Sequence, residues 1–122
     1  MKVSVSFLRS EFELADTIKK IEETDTDYIP QELKKIFKDC TKPLDVHMMV
    51  SSPNKYVKDF AKMKNVEYLT LHVEAHRRPI DVINMIRHTD MKVGLAINPE
   101  TKVSRIIPLL NHVDQVLIMS VK

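Results

Sequence analysis

A chain of 122 residues, 43% hydrophobic and 30% charged, has the make-up of one folded domain and not of a disordered segment. Its net charge of +2, with both signs interspersed, points to no dedicated nucleic-acid surface, and no apolar run approaches the roughly 20 residues that span a bilayer. Cys40 stands alone and cannot form an internal disulfide, and Met1 to Val5 lacks the apolar core of a secretory signal, so a cytoplasmic setting is expected.

In chain order, Val3 to Leu8 is strand-like by its β-branched content and near-alternation. Phe12 to Glu23 carries Phe12, Leu14, Ala15, Ile18 and Ile21 at helical spacing, with Ser10 as N-cap candidate. Asp27 to Ile29 begins like a strand but meets Pro30, which opens a predicted helix over Gln31 to Lys38. Pro43 to Val50 is the next strand. Ser51 and Ser52 are cap candidates for a helix from Pro53 through Lys62. Val66 to Val73 predicts a strand, Pro79 to His88 a helix, and Lys92 to Ile97 a strand closed by Asn98-Pro99. Thr101 to Leu110 predicts a helix despite Pro108, and Asp114 to Val121 a last strand.

Strands alternating with single helices at even spacing imply βα units around a parallel sheet of about six strands. Their nearly continuous apolar character suits strands covered by helices. Either an open doubly wound sheet or most of a (β/α)8 barrel satisfies the pattern. The only glycine is Gly94, where average usage of about 7% would give roughly eight or nine. Phosphate-cradling loops need glycines for close backbone approach, and the chain contains no such loop.

Alternate residues of a strand share a face. Asp45, His47 and Met49 therefore point one way and the wholly apolar Val46, Met48 and Val50 the other. The apolar set suits a helical layer; the mixed set suits a barrel interior near its functional mouth. On spacing alone, His47 reads first as a buried histidine satisfied by hydrogen bonds, since a metal site usually needs three or more protein ligands. His72 ends a strand two residues before Glu74, which makes either an oriented imidazole or a pair of loop residues. His76, Arg77 and Arg78 read as a solvated loop, with phosphate contact as the alternative. His88 and His112 sit near helix ends, where positive charge complements the dipole. Ser6 shares a face with Ser4, and Met119 shares one with Leu117 and Val121. Cys40, between Lys38 and Lys42 with no histidine adjacent in sequence, reads as incidental.

Taken together, "SVSFL", "ADTIKKIEETDTDYI", "PLDVHMMVSSPNKYV", "LHVEA", "KVGLAINPET" and "VDQVLIMSV" resemble the ribulose-phosphate 3-epimerase family, in the family's order and over nearly the whole chain. The resemblance implies a (β/α)8 barrel, here incomplete, forming one partial-barrel domain over residues 1–122. It implies interconversion of ribulose 5-phosphate and xylulose 5-phosphate in the pentose phosphate pathway. A proton next to a carbonyl leaves one face and returns on the other, between two carboxylates acting as acid and base. A divalent metal (Zn, Fe, Mn or Co) polarises the carbonyl and stabilises the enediolate. By the same resemblance His47 matches the metal-binding histidine, Ser6 a substrate-binding serine, and Met49 and Met119 methionines near the reacting carbons. A sugar-phosphate substrate, no nucleic acid, no membrane and a homo-oligomer are expected.

The chain also departs from the family. "DYI" runs directly into "PQELKK", where the family's second strand carries a histidine and an aspartate that bind metal. Nothing here matches the glycine-rich loops or the late unit bearing the second catalytic aspartate. Asp45 is no substitute, because the family has an aspartate-like position there without that role. No catalytic residue is therefore assigned, and the 122 residues alone are expected to be inactive. A three-residue second strand is too short to cross a barrel. A longer enzyme and a truncated barrel both fit, and open sheet edges in the latter favour self-association. An allulose 6-phosphate epimerase and a non-catalytic fragment are the alternatives.

Overall fold

The computed structural model describes residues 3–7, by their backbone, and residues 42–120. Five strands form one sheet in sequential order: β1 (Val3–Phe7), β2 (Leu44–Met48), β3 (Val66–His72), β4 (Lys92–Ile97) and β5 (Gln115–Ile118). Every neighbouring pair is parallel. The helices are α1 (Val57–Ala61) and α2 (Pro79–Arg87), with short 3-10 turns between elements.

Among the described residues the sheet has five strands, where about six were expected of the chain. The strand expected at Asp27 to Ile29, the helices expected over Phe12 to Glu23 and Gln31 to Lys38, and Cys40 lie outside the described residues. β1 pairs directly with β2 through five register pairs, Val3 with Leu44 to Phe7 with Met48, so no strand stands between them. Two helices differ from their sequence-based bounds. Pro53 opens a single 3-10 turn before α1, and no Ser52 side-chain cap bond forms. Over Thr101 to Leu110 the chain forms two 3-10 segments, Val103–Arg105 and Ile107–His112. Pro108 has no N–H to give to a carbonyl four residues back, so an α-helix cannot run through it.

α2 shows why its residues choose a helix. Pro79 takes the first turn, where its missing N–H costs nothing; Asp81 lies near the N-terminus and Arg87 near the C-terminus, both matched to the dipole. Val82, Ile83 and Ile86 form its buried stripe. The His88 ring closes the helix, Nδ1 meeting the Asn84 carbonyl at 2.6 Å.

Alternation along the strands divides the sheet into two faces. On one, Val46, Met48, Leu69, Leu71, Val93 and Leu95 are buried against Val57 and Phe60 of α1 and the stripe of α2. That layer is the hydrophobic core. The other face is polar. One register row on that side runs through His47, Thr70, Gly94 and Gln115, and Ser6 is the register partner of His47 on β1. A second row at the N-terminal ends holds Asp45, Tyr68 and Lys92, with the Lys92 ammonium 5.5 Å above the Tyr68 ring.

The glycine is explained by this row. A Cβ at Gly94 would fall on the Thr70 hydroxyl, 2.9 Å from Thr70 Cβ and 3.2 Å from Gln115 Nε2. Without that Cβ, Gln115 Nε2 reaches over β4 to Thr70 Oγ1 at 3.5 Å. At β5, Val116, Leu117 and Ile118 are exposed, Ile118 by 72%, and no further strand follows among the described residues. No helix among the described residues is long and apolar enough to cross a membrane.

Candidate functional site

The polar face carries its chemistry at the C-terminal ends of the strands, where parallel α/β folds hold their sites. An open cleft of about 380 Å³ lies there, lined by Met49, Val50, Ser51, His72, Glu74, Ala75 and Asn98. A second groove, between α1 and α2, lies on the opposite layer and is almost wholly apolar. The strand-end cleft, where His72, Glu74 and Asn98 come together, is the candidate site.

His72, which lines this cleft, meets the buried His47. In register His47 stands beside Thr70, so His72 is its diagonal neighbour on the same face. Their Nε2 atoms are 2.6 Å apart, the ring planes lie within 16° of parallel, and the centroids are 4.8 Å apart. Two rings touching tip to tip need a centroid separation near that value, because each adds its own radius to the nitrogen contact. The closest approach is thus an in-plane hydrogen bond, with one proton between the two nitrogens.

Glu74, one turn beyond β3, backs His72. One carboxylate oxygen accepts the Asn98 backbone N–H at 2.8 Å. The other lies 3.5 Å from His72 Nδ1 and is buried with no hydrogen-bond partner among the described residues. Burial pushes the Glu74 carboxyl upward, but hydrogen bonds from the Thr101 side chain, from Asn98 and from its own backbone outweigh it. With the nearby His72 they hold the carboxyl below its usual range. Burial drives both imidazoles the other way. His47 falls from 6.5 to about 4, with His72 adding to the fall and Asp45 opposing it. His72 is lowered by burial despite the Glu74 carboxylate. At neutral pH the site therefore holds two neutral imidazoles and one anion.

Of the residues singled out in the sequence, His47 is buried on the polar face and Met49 lines the cleft. Ser6 takes the register position beside His47 on β1. Met119 follows β5, half-buried, its N–H bonded to the Ile97 carbonyl at 3.0 Å. The His72–Glu74 pair is drawn into the site as an oriented imidazole. Asn98, Thr70 and Gln115 were not singled out; their contributions depend on strand register, which local sequence does not reveal. The basic group after β3 is a loop, in which the Arg78 N–H donates to His76 Nδ1 and Arg78 pairs with Asp81 at an exposed position.

Comparison with known proteins decides the family. The model of the ribulose-phosphate 3 epimerase family matches residues 28–122. The chain belongs to that family. Among curated relatives, the ribulose-phosphate 3-epimerase of Methanocaldococcus jannaschii is 30% identical over 139 residues, covering 100% of this chain and 58% of its own length. That of Helicobacter pylori is 30% identical over 136 residues, covering 99% of this chain and 62% of its own. That of Treponema pallidum is 39% identical over 79 residues, covering 65% and 36%. This member of the family thus spans less than two thirds of the relatives that it matches end to end. Its sheet is a partial (β/α) barrel.

The family implies a divalent metal, and the donor set can be tested against it. Among the described residues, no group of three or more His, Cys, Asp or Glu side chains is placed to hold a metal ion. His47, the residue expected to be a metal ligand, has its Nε2 engaged by His72. A single imidazole does not make a protein metal site, so the described residues by themselves do not fit a resident ion.

Proposed function

We propose that this chain supplies the first-half face of a sugar-phosphate 3-epimerase active site, acting on ribulose 5-phosphate and xylulose 5-phosphate in the pentose phosphate pathway. One observation supports the reading: the buried His47, expected from the resemblance to be a metal ligand, lies on a polar sheet face beside His72, which lines a cleft at the strand ends. The whole protein would act in the cytoplasm, as a homo-oligomer, with a divalent ion (Zn, Fe, Mn or Co) whose remaining ligands lie beyond those described. When bound, such an ion supplies charge stabilisation for a developing enediolate. Residues 1–122 form one partial-barrel domain in this reading.

The residues present can bind and orient a polyol but are poorly matched to the proton transfers. A general base works best with a pKa near the working pH. His47 at about 4 and Glu74 below its usual range are both weak bases at neutrality. Neutral His47 and His72, the Thr70 hydroxyl and the Gln115 amide are suited to hydroxyl groups. Met49 offers an apolar contact to the carbon skeleton. The acid and base are accordingly assigned to none of the described residues, and the 122 residues alone are expected to bind without turnover.

A coupled assay and a binding titration with D-ribulose 5-phosphate test this. Saturable binding weakened at least tenfold by His47→Ala, with no turnover, is the expected result. Turnover abolished by His47→Ala would overturn the assignment of no catalytic residue, and no binding would overturn the substrate class. Stronger binding of allulose 6-phosphate would favour the hexulose alternative.

A further inference from the structure

We propose that the groove between α1 and α2 is a docking surface for a second copy of this chain, which pairs there about a twofold axis lying along the groove. The proposal gives a surface to the homo-oligomer of the proposed function and does not depend on the substrate.

α1 and α2 each carry the chain back from the end of one parallel strand to the start of the next, so they run side by side in the same direction. The groove between them has a volume of about 570 Å³. Its apolar lining is the buried Val57, the small Ala61 of α1 and Met85 of α2, which is 37% exposed. The core takes Val82, Ile83 and Ile86 of α2 and leaves Met85 outside. The charges are segregated: Lys58 and Lys62 line the α1 side and Asp81 the α2 side.

Two copies meeting groove to groove have two symmetric choices. A twofold axis across the groove lays α1 on the partner's α1 and sets Lys58 against the partner's Lys62. An axis along the groove lays α2 on the partner's α1 with the helices parallel. Asp81, in the first turn of α2, then faces the partner's Lys58 near the start of α1. Lys62, just past the end of α1, faces the C-terminal end of the partner's α2, where the helix dipole favours a cation. The cation already there, Arg87, is turned to His112 Nδ1 at 3.3 Å. Met85 enters the space over the partner's Ala61, whose side chain is too small to fill it. An isologous interface makes each of these contacts twice, and like-charge repulsion disfavours the first arrangement. Asp81 is open to such a partner: its side chain is 52% exposed, and its 3.3 Å pair with Arg78 is itself at the surface. Two short helices make a small patch, which places the contact among the weak interfaces of less than about 1,200 Å².

The test is sedimentation velocity of the full chain over a concentration series, repeated with Ile118→Lys so that the open β5 edge does not contribute. The expected result is a reversible dimer that survives Ile118→Lys. Asp81→Lys alone and Lys58→Asp alone should each weaken it at least tenfold, because each variant sets two like-charge pairs in its own homodimer. Mixed in equal amounts, the two variants should form a heterodimer in which both pairs are attractive again, within about threefold of the parent's affinity. That recovery also shows that both variants are folded, and no pairing of Lys58 with Asp81 inside one chain produces it. Ala61→Arg, which fills the space that Met85 takes, should weaken the dimer at least tenfold with an unchanged circular-dichroism melt. Charge variants that associate like the parent, or a mixture that stays monomeric, would overturn the groove and leave the homo-oligomer to another surface. A parent chain monomeric at every concentration would overturn the groove and the homo-oligomer together, whereas the sugar-phosphate reading stands or falls on its own titration.

Discussion

Replacing Gly94 by alanine tests the account of the polar row directly. The added Cβ would meet the Thr70 hydroxyl head-on and lie 2.9 Å from Thr70 Cβ, closer than carbon atoms approach in folded proteins. Rotating the threonine could move the hydroxyl, but its Cβ is fixed by the β3 backbone, so the strands themselves must shift. Overpacking of this kind costs about 1–3 kcal/mol. Losing the half-buried Gln115–Thr70 hydrogen bond adds about 0.5–1 kcal/mol. Alanine loses less chain entropy than glycine, which returns about 0.4–1 kcal/mol. Gly94 has no positive φ, so no backbone strain enters. The net expectation is a destabilisation of about 2 kcal/mol, or roughly 8 °C in Tm for a chain of this size. Urea and thermal melts followed by circular dichroism measure it. Adding Thr70→Ala removes the hydroxyl and should recover about half, a coupling of about 1 kcal/mol. A Gly94→Ala chain as stable as its parent, or a double variant with no recovery, would refute the steric argument.

Stability should also fall in acid within a defined window. The folded state keeps His47 neutral to about pH 4, whereas the unfolded chain takes up that proton near 6.5. The unfolded state thus binds more protons in between, and the contribution, present in full above pH 6.5, is lost as the pH falls to about 4. The shift corresponds to about 3 kcal/mol. His72 acts in the same direction, and His47→Leu should flatten the profile of urea midpoints over this range. Asp114→Ala should cost about 1–3 kcal/mol in the same melts, because the Val93 N–H loses its 2.8 Å carboxylate acceptor. Ile118→Lys, at the most exposed apolar position of β5, should lower self-association in sedimentation velocity without lowering Tm by more than a degree or two.

What the sequence revealed, and what it hid, follows the range of the interactions. The strands at Leu44, Val66 and Lys92 are legible because burial on a helix-covered face leaves an apolar run; the strand at Gln115 carries the same kind of run although Val116, Leu117 and Ile118 are exposed. The two-fold alternation marks the two faces of β2, Asp45 and His47 against Val46 and Met48; beyond the strand's end it lapses, and Met49 and Val50 both line the cleft. Pro108 is visible in the sequence, and in the fold it replaces the expected helix with two 3-10 segments. Spacing alone reads His47 as a buried histidine satisfied by hydrogen bonds, and its Nε2 does meet a partner, His72, twenty-five residues on. Nothing local to either residue announces that pairing, since it depends on the β2–β3 register and on the irregularity between Leu44 and Asp45. The same limit hid the reason for Gly94, which lies in side chains of the two flanking strands.

The seam between β1 and β2 bears on how the chain folds. β2 to β5 are joined through residues 49–65, 73–91 and 98–114, whereas β1 reaches β2 only after residues 8–43. Doubling a closed loop costs only about 0.6 kcal/mol more, so the longer return hardly weakens the native state. It weighs on rate instead, because distant contacts form after near ones. β1 should be the last strand to anneal and the first to peel away. The β1–β2 seam is thus the part of the sheet closed over the greatest separation in sequence, held by the five register pairs from Val3–Leu44 to Phe7–Met48.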